Sequence, residues 1–131
     1  MTTYSIEGRV GFVAGGSSGI NLGIAKHLAR GGMKIALLSR SQEKLDAAVA
    51  DIVADGGEAF AIAADVRDYT AVEQALAAAH ARYGEIDTVI SGAAGNFVAP
   101  ALGLSANAFK TVIDIDLLGT FNVLRASFAF L

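Results

Sequence analysis

Residues Arg9 to Asn21 read RVGFVAGGSSGIN, an apolar run that breaks into glycines and serines and then resumes. The run up to Gly15 has the length and continuous apolarity of a strand buried on both faces. Gly15-Gly16-Ser17-Ser18-Gly19-Ile20-Asn21 follows at once. Behind it Ile20, Ile24 and Leu28 recur every four residues until Gly31-Gly32, which predicts a helix with one apolar stripe. A glycine turn between strand and helix presents unpaired N–H groups where roughly +0.5 of an elementary charge gathers. Gly15 and Gly19 permit the tight turn and a close approach of backbone to a pyrophosphate, and the Ser17 and Ser18 hydroxyls add donors. Glycines alone would also suit a ligand-free turn. Their place after the first strand of a strand–helix–strand unit favours a nucleotide.

The alternation continues outward. Lys34 to Ser39 (KIALLS) reads as a second strand. Ser41 stands as N-cap to a helix with Leu45, Val49 and Ile52 on one face, ending at Gly56-Gly57. Ala59 to Ala64 is a third strand, and Thr70 with Glu73 has capping-box spacing ahead of a stripe of Val72, Leu76, Ala79 and Tyr83. Ile86 to Ser91 is a fourth strand, and one amphipathic helix is expected from about Asn107 to the end. Strands and helices alternating with short connections imply the α/β class. The expected architecture is a Rossmann-type doubly wound parallel sheet, order 3-2-1-4, in three αβα layers.

Bulk properties exclude several functions. At 131 residues the chain holds one core, and 53% hydrophobic against 18% charged residues excludes disorder. A net charge of −3, with 10 scattered basic residues, offers no attraction to nucleic acid or anionic membrane. Without cysteine there is no disulfide framework, thiolate or zinc finger. His27 and His80 lack ligand partners at useful spacing, so no metal site is expected. The N-terminus carries no visible secretory signal, and a cytoplasmic placement is expected. Thr88 to Phe109 is uncharged, yet its glycines and Pro100 make it a strand and loop, not a membrane span.

The end of the second strand selects the cofactor. An NAD-binding chain would place an acid there for the ribose hydroxyls. Ser39-Arg40-Ser41 instead suits a 2′-phosphate, so NADP(H) is expected; the plainer reading is a surface arginine paired with Glu43. Further on, Lys110 precedes Asp114 by four residues, a pairing distance on a solvated helix face. Asp116 points about 200° away from Asp114 on an ideal helix. It has no basic neighbour at three or four positions, so it is either solvated or held near a cleft where desolvation would suit it to acid/base work.

The Gly-x-x-x-Gly-Ile spacing resembles the short-chain dehydrogenase/reductase family. Ala93-Ala94-Gly95-Asn96-Phe97, with Asn107 to Asp116 (NAFKTVIDID), resembles its 2,4-dienoyl-CoA reductase branch, the peroxisomal type in particular. The resemblance implies an NADPH-dependent oxidoreductase. It implies that Asp116, with a lysine beyond Leu131, activates a water that protonates the dienoyl substrate. It further implies Asp65-Val66 as the adenine-binding pair, although a strand-end aspartate also caps turns. Ala93 and Ala94 would pass close to the cofactor. Arg40 and Arg67 would lie near NADP or CoA phosphates, and Phe97, Ser105 and Asn107 would line the acyl-CoA site. The plainer readings are a surface arginine for Arg67, a core aromatic for Phe97 and a helix cap for Ser105 or Asn107. The final helix would pack in a subunit interface, giving a homo-oligomer (dimer or tetramer).

Two departures from the family pattern stand out. Asn21 replaces the third glycine of the loop, implying a remodelled turn eased by asparagine's tolerance of positive φ. Ser91-Gly92 stands where relatives usually carry asparagines. The family's Tyr-x-x-x-Lys pair is also missing: four residues beyond Tyr4, Tyr69 and Tyr83 lie Gly8, Glu73 and Asp87. The 131 residues are therefore expected to be the NADP-binding N-terminal portion of a longer single-domain protein. Two alternatives remain at this point: a 3-oxoacyl-thioester or other carbonyl reductase of the same family, and a non-catalytic nucleotide-binding module.

Overall fold

The computed structural model describes residues 4–131; the first three residues of the stretch read for a signal lie outside it. In β1 (Val10–Ala14) successive side chains point to opposite faces, so Val10, Phe12 and Ala14 enter one core and Val13 the other. β2 (Lys34–Ser39) divides in the same way, with Ala36 and Leu38 on the first face and Ile35 and Leu37 on the second. β3 (Glu58–Ala63) and β4 (Thr88–Ser91) complete a parallel sheet in the expected order β3-β2-β1-β4. Val13 pairs with Leu37 on one side and Ile90 on the other, which makes β1 central.

Helices cover both faces. α1 (Gly19–Arg30) and α2 (Gln42–Ala54) close one core through Ala25, Ala29, Leu45, Ala48 and Ile52. α3 (Tyr69–Tyr83) closes the other through Val72, Ala75, Leu76 and Ala79, joined by Val123 and Ala126 of α5 (Gly119–Ser127). Burying a Leu, Ile or Phe is worth about 1.5–3 kcal/mol. Phe12, Ile35, Leu37 and Leu38, all fully buried, are therefore the side chains that fasten the layers to the sheet. Among the described residues no helix is long and apolar enough to cross a membrane, and after β4 the uncharged segment runs as irregular chain to a short turn at Ala101–Gly103.

Several local expectations are corrected. Ile20 is 83% exposed, because it projects from the first turn of α1 over a cavity at the strand ends. The buried stripe is Ala25 and Ala29, with Leu22 and Leu28 packed beside them. Thr70 and Glu73 form no capping box. Asp68 is the N-cap of α3 and its carboxylate accepts from the Ala71 N–H at 3.1 Å, which places Thr70 inside the first turn. The long final helix starts at Ala106 and is not uniform. It comprises α4 (Ala106–Ile113), a wider π-helical segment (Asp114–Leu118), then α5 and a closing turn at Phe128–Phe130.

Candidate nucleotide site

The site begins where β1 ends. Gly15 takes φ +75° and Gly19 φ +60°, conformations open to glycine and costly for other residues. Gly15 and Gly16 both donate N–H to the Leu38 carbonyl, at 2.8 and 3.3 Å, and the Ser17 hydroxyl donates to that of Ser39 at 2.9 Å. The turn is thus stitched to the end of β2. Ser18 is the N-cap of α1 but its hydroxyl makes no capping bond. A Cβ on Gly19 would meet no atom within 4 Å, so the backbone there stands bare toward the cavity.

That cavity holds about 610 Å³ at the carboxyl ends of the strands. Gly15, Ser17, Ser18, Gly19, Ile20, Ser39, Arg40, Asp65, Val66 and Ala93 all line it, so every residue expected to meet the cofactor converges here. A bare glycine turn at a helix N-terminus fits a pyrophosphate. Arg40 forms no ion pair among the described residues, Glu43 included. Lys44 joins it in the wall, a cation missed in the sequence although it lies four residues past Arg40. Asp65 is held by Arg67, whose guanidinium donates to both carboxylate oxygens at 2.6–3.1 Å. That hydrogen bond holds the Asp65 carboxyl below its ordinary range, against the opposite pull of partial burial.

The residues expected to meet substrate do not converge. Arg67 is taken up by Asp65 and lies outside the cavity wall. Phe97 is 54% exposed, so it is not a core aromatic. The Ser105 hydroxyl accepts from the Ala108 N–H at 3.0 Å as the cap of α4, its plainer reading. Asn107 is exposed, with its carbonyl accepting from the Thr111 hydroxyl. Asp114 pairs with Lys110 as expected. Asp116 lies in the π-helical segment and is exposed, the solvated one of its two readings. It nonetheless reaches toward the site: its Oδ1 accepts from the Gly95 N–H at 2.8 Å, and neighbouring Ile115 lines the cavity.

Two further contributors had no sequence signal strong enough to find them. Asn122 is buried in α5 and donates to the Val66 carbonyl at 2.9 Å, while a Cβ on Gly119 would stand 2.5 Å from Val66 Cγ2. Asn21 does not take positive φ, as no described residue other than glycine does; its carboxamide instead donates to the Gly92 carbonyl at 2.8 Å.

A parallel doubly wound sheet with a glycine turn and a cavity at its strand ends defines a nucleotide-binding α/β protein of Rossmann type. More narrowly, residues 9–131 match the short chain dehydrogenase family, and the chain belongs to it. The fold of that oxidoreductase family implies a nicotinamide nucleotide cofactor. The chain is 45% identical over 121 residues to the peroxisomal 2,4-dienoyl-CoA reductase of Rattus norvegicus, covering 92% of this chain and 41% of the relative. It therefore spans about two fifths of the length of the curated relatives it matches. A dehydrogenase/reductase of Sinorhizobium meliloti superposes with TM-score 0.90 at 35% identity, over 97% of this chain and 52% of that one. The actinorhodin polyketide ketoreductase with NADPH superposes with TM-score 0.88 at 27% identity, over 96% and 48%.

Proposed function

We propose that this chain forms the cofactor-binding part of an NADPH-dependent reductase of 2,4-dienoyl-CoA thioesters. The observation that carries the reading is the basic end of the cavity. Arg40 and Lys44 line it beside Ser39 and Ser41, and no carboxylate follows β2 where an NAD ribose would need one. A planar guanidinium flanked by hydroxyls suits a 2′-phosphate. The glycine turn would hold the pyrophosphate, and Asp65 with Val66 the adenine. When bound, the nicotinamide nucleotide supplies hydride.

Asp116 is the acid–base group in this reading. The Gly95 N–H holds one carboxylate oxygen, which orients the group and leaves Oδ2 without a protein partner among the described residues. A water on Oδ2 would be the proton source at the substrate. Phe97, Ser105 and Asn107 would face the acyl-CoA, and Arg67 would have to leave Asp65 to meet a CoA phosphate. The exposed apolar face of Leu117, Phe121, Leu124 and Phe128 supports the subunit interface of a homo-oligomer. The cysteine-free composition supports a cytoplasmic placement, and the rat relative's peroxisomal name makes fractionation its proper check.

The test is NADPH oxidation with a 2,4-dienoyl-CoA, in the protein as encoded and with its mass in solution known. Turnover is expected, with NADPH preferred to NADH. Asp116→Ala should lower kcat by about 10²–10⁴-fold, the usual worth of a positioned acid or base. Reduction confined to 3-oxoacyl thioesters would move the substrate and keep the family. Nucleotide binding without any turnover would leave a binding module.

A further inference from the structure

We propose that Asn21 and Gly92 form a size-matched latch that positions the half of the dinucleotide lying away from Arg40; the inference rests on the nucleotide reading above. Asn21 is in the first turn of α1 and Gly92 directly follows β4, and both line the cavity. The Asn21 Nδ2 donates to the Gly92 carbonyl at 2.8 Å, and the Gly92 N–H donates to the Ala14 carbonyl at 3.1 Å. Both polar groups of Gly92 are thereby fixed across two different elements. A Cβ on Gly92 would stand 2.5 Å from both Cγ and Nδ2 of Asn21. The carboxamide occupies the space that any other residue at 92 would need, and it can withdraw only by giving up its bond. One large and one absent side chain therefore fit each other.

A second contact joins the same two loops. A Cβ on Gly15 would lie 2.8 Å from the backbone of Ala93. Residues 92 and 93 are thus wedged between the two ends of the glycine turn, at Gly15 and at Asn21. The two departures from the family pattern noted in the sequence are in direct contact here.

Topology says which part of a ligand this touches. Arg40 and Asp65 follow β2 and β3 on one side of β1, while Gly92 follows β4 on the other. At about 4.8 Å between strands, the ends of β2 and β4 stand roughly 10 Å apart across the glycine turn. The latch therefore sets the far wall and leaves the Arg40 wall alone. Asn21 is a positioning residue, acting through the Gly92–Ala93 backbone.

The experiment measures Kd by calorimetry for NADPH and for its adenosine half, 2′,5′-ADP, on the protein as encoded, with Tm recorded alongside. Asn21→Ala removes atoms without adding any, so it carries the test even where Gly92→Ala folds poorly. It should weaken NADPH by about tenfold, the worth of one positioned hydrogen bond, and leave 2′,5′-ADP within about twofold. Gly92→Ala should lose NADPH affinity more heavily, and Asn21→Gly combined with Gly92→Ala should recover most of that loss. Equal loss for both ligands would overturn the proposal, since a general fold defect moves both. Unchanged NADPH affinity in Asn21→Ala would overturn it as well, as would a double variant no better than Gly92→Ala. Wild-type protein that binds neither NADPH nor NADH nor 2′,5′-ADP would overturn the nucleotide reading itself, a result visible before any variant is made.

Discussion

The two ends of the molecule's working surface are built differently. Around the glycine turn, backbone meets backbone: Gly15 and Gly16 donate to Leu38, Gly92 to Ala14, and Gly15 abuts Ala93. From Phe97 onward large apolar side chains face outward, with Phe97, Phe109, Leu117, Phe121, Leu124 and Phe128 all more than half exposed. A site made from strand ends is completed by the sheet that carries it, because pairing the strands fixes the loops that follow them. A site made from a loop and one helix face depends on whatever packs against that face. The residues expected to meet the cofactor therefore converge within the described chain, and those expected to meet substrate do not.

The strongest way to break the finished wall is Gly15→Val. At φ +75° an L-residue costs about 1–2 kcal/mol, and a β-branched residue more. The new Cβ would also meet Ala93 backbone, which has no rotamer to change. Against a typical total stability of about 5–15 kcal/mol, Tm should fall by about 10 °C or more and nucleotide binding should vanish. A melting curve and a titration decide it. An unmoved Tm would mean that the turn is not held as tightly as its contacts imply.

How much of this was legible in the sequence follows the same division. KIALLS and RVGFVAG are continuous apolar runs, and burial on both faces is their direct consequence, so strand order and layers could be read. Arg40 could be read because a strand end in such a sheet has only one place to be. The Asn21–Gly92 contact could not, since it joins residues 71 apart through a single carboxamide. Nor could the π-helical segment that carries Asp116, because apolar spacing does not register a turn widened by one residue. Asn122 sits beside Val123 among apolar residues, and only the fold reveals that the Val66 carbonyl lies opposite it.

Asn122 also sharpens the contrast, since α5 has one face in the core and one face outward. Asn122→Ala would leave the Val66 carbonyl buried without its donor, at about 1–3 kcal/mol. Denaturant unfolding should show that loss together with a modest weakening of 2′,5′-ADP, because Val66 lines the cavity on the wall proposed for the adenine. Lost stability with unchanged nucleotide affinity would place Asn122 in the core alone.

The smallest effect asks to which wall Arg67 belongs. Its ion pair with Asp65 is about one third exposed on both sides, so salt and water screen it. The Asp65 carboxyl titrates below its ordinary 3.8 when folded, chiefly through the Arg67 hydrogen bond. A lowered carboxyl pKa contributes stability that is present above the unfolded value and disappears as pH falls through the folded one. Arg67→Ala should therefore melt about a degree or two lower than wild type at pH 7, and the gap should begin to close only below about pH 4, as pH falls toward the lowered folded value. A gap that persists in acid would mean that Arg67 acts through something other than Asp65. No gap at any pH would mean that the pair contributes nothing to the fold, and that the arginine is free to turn away from Asp65 toward a ligand.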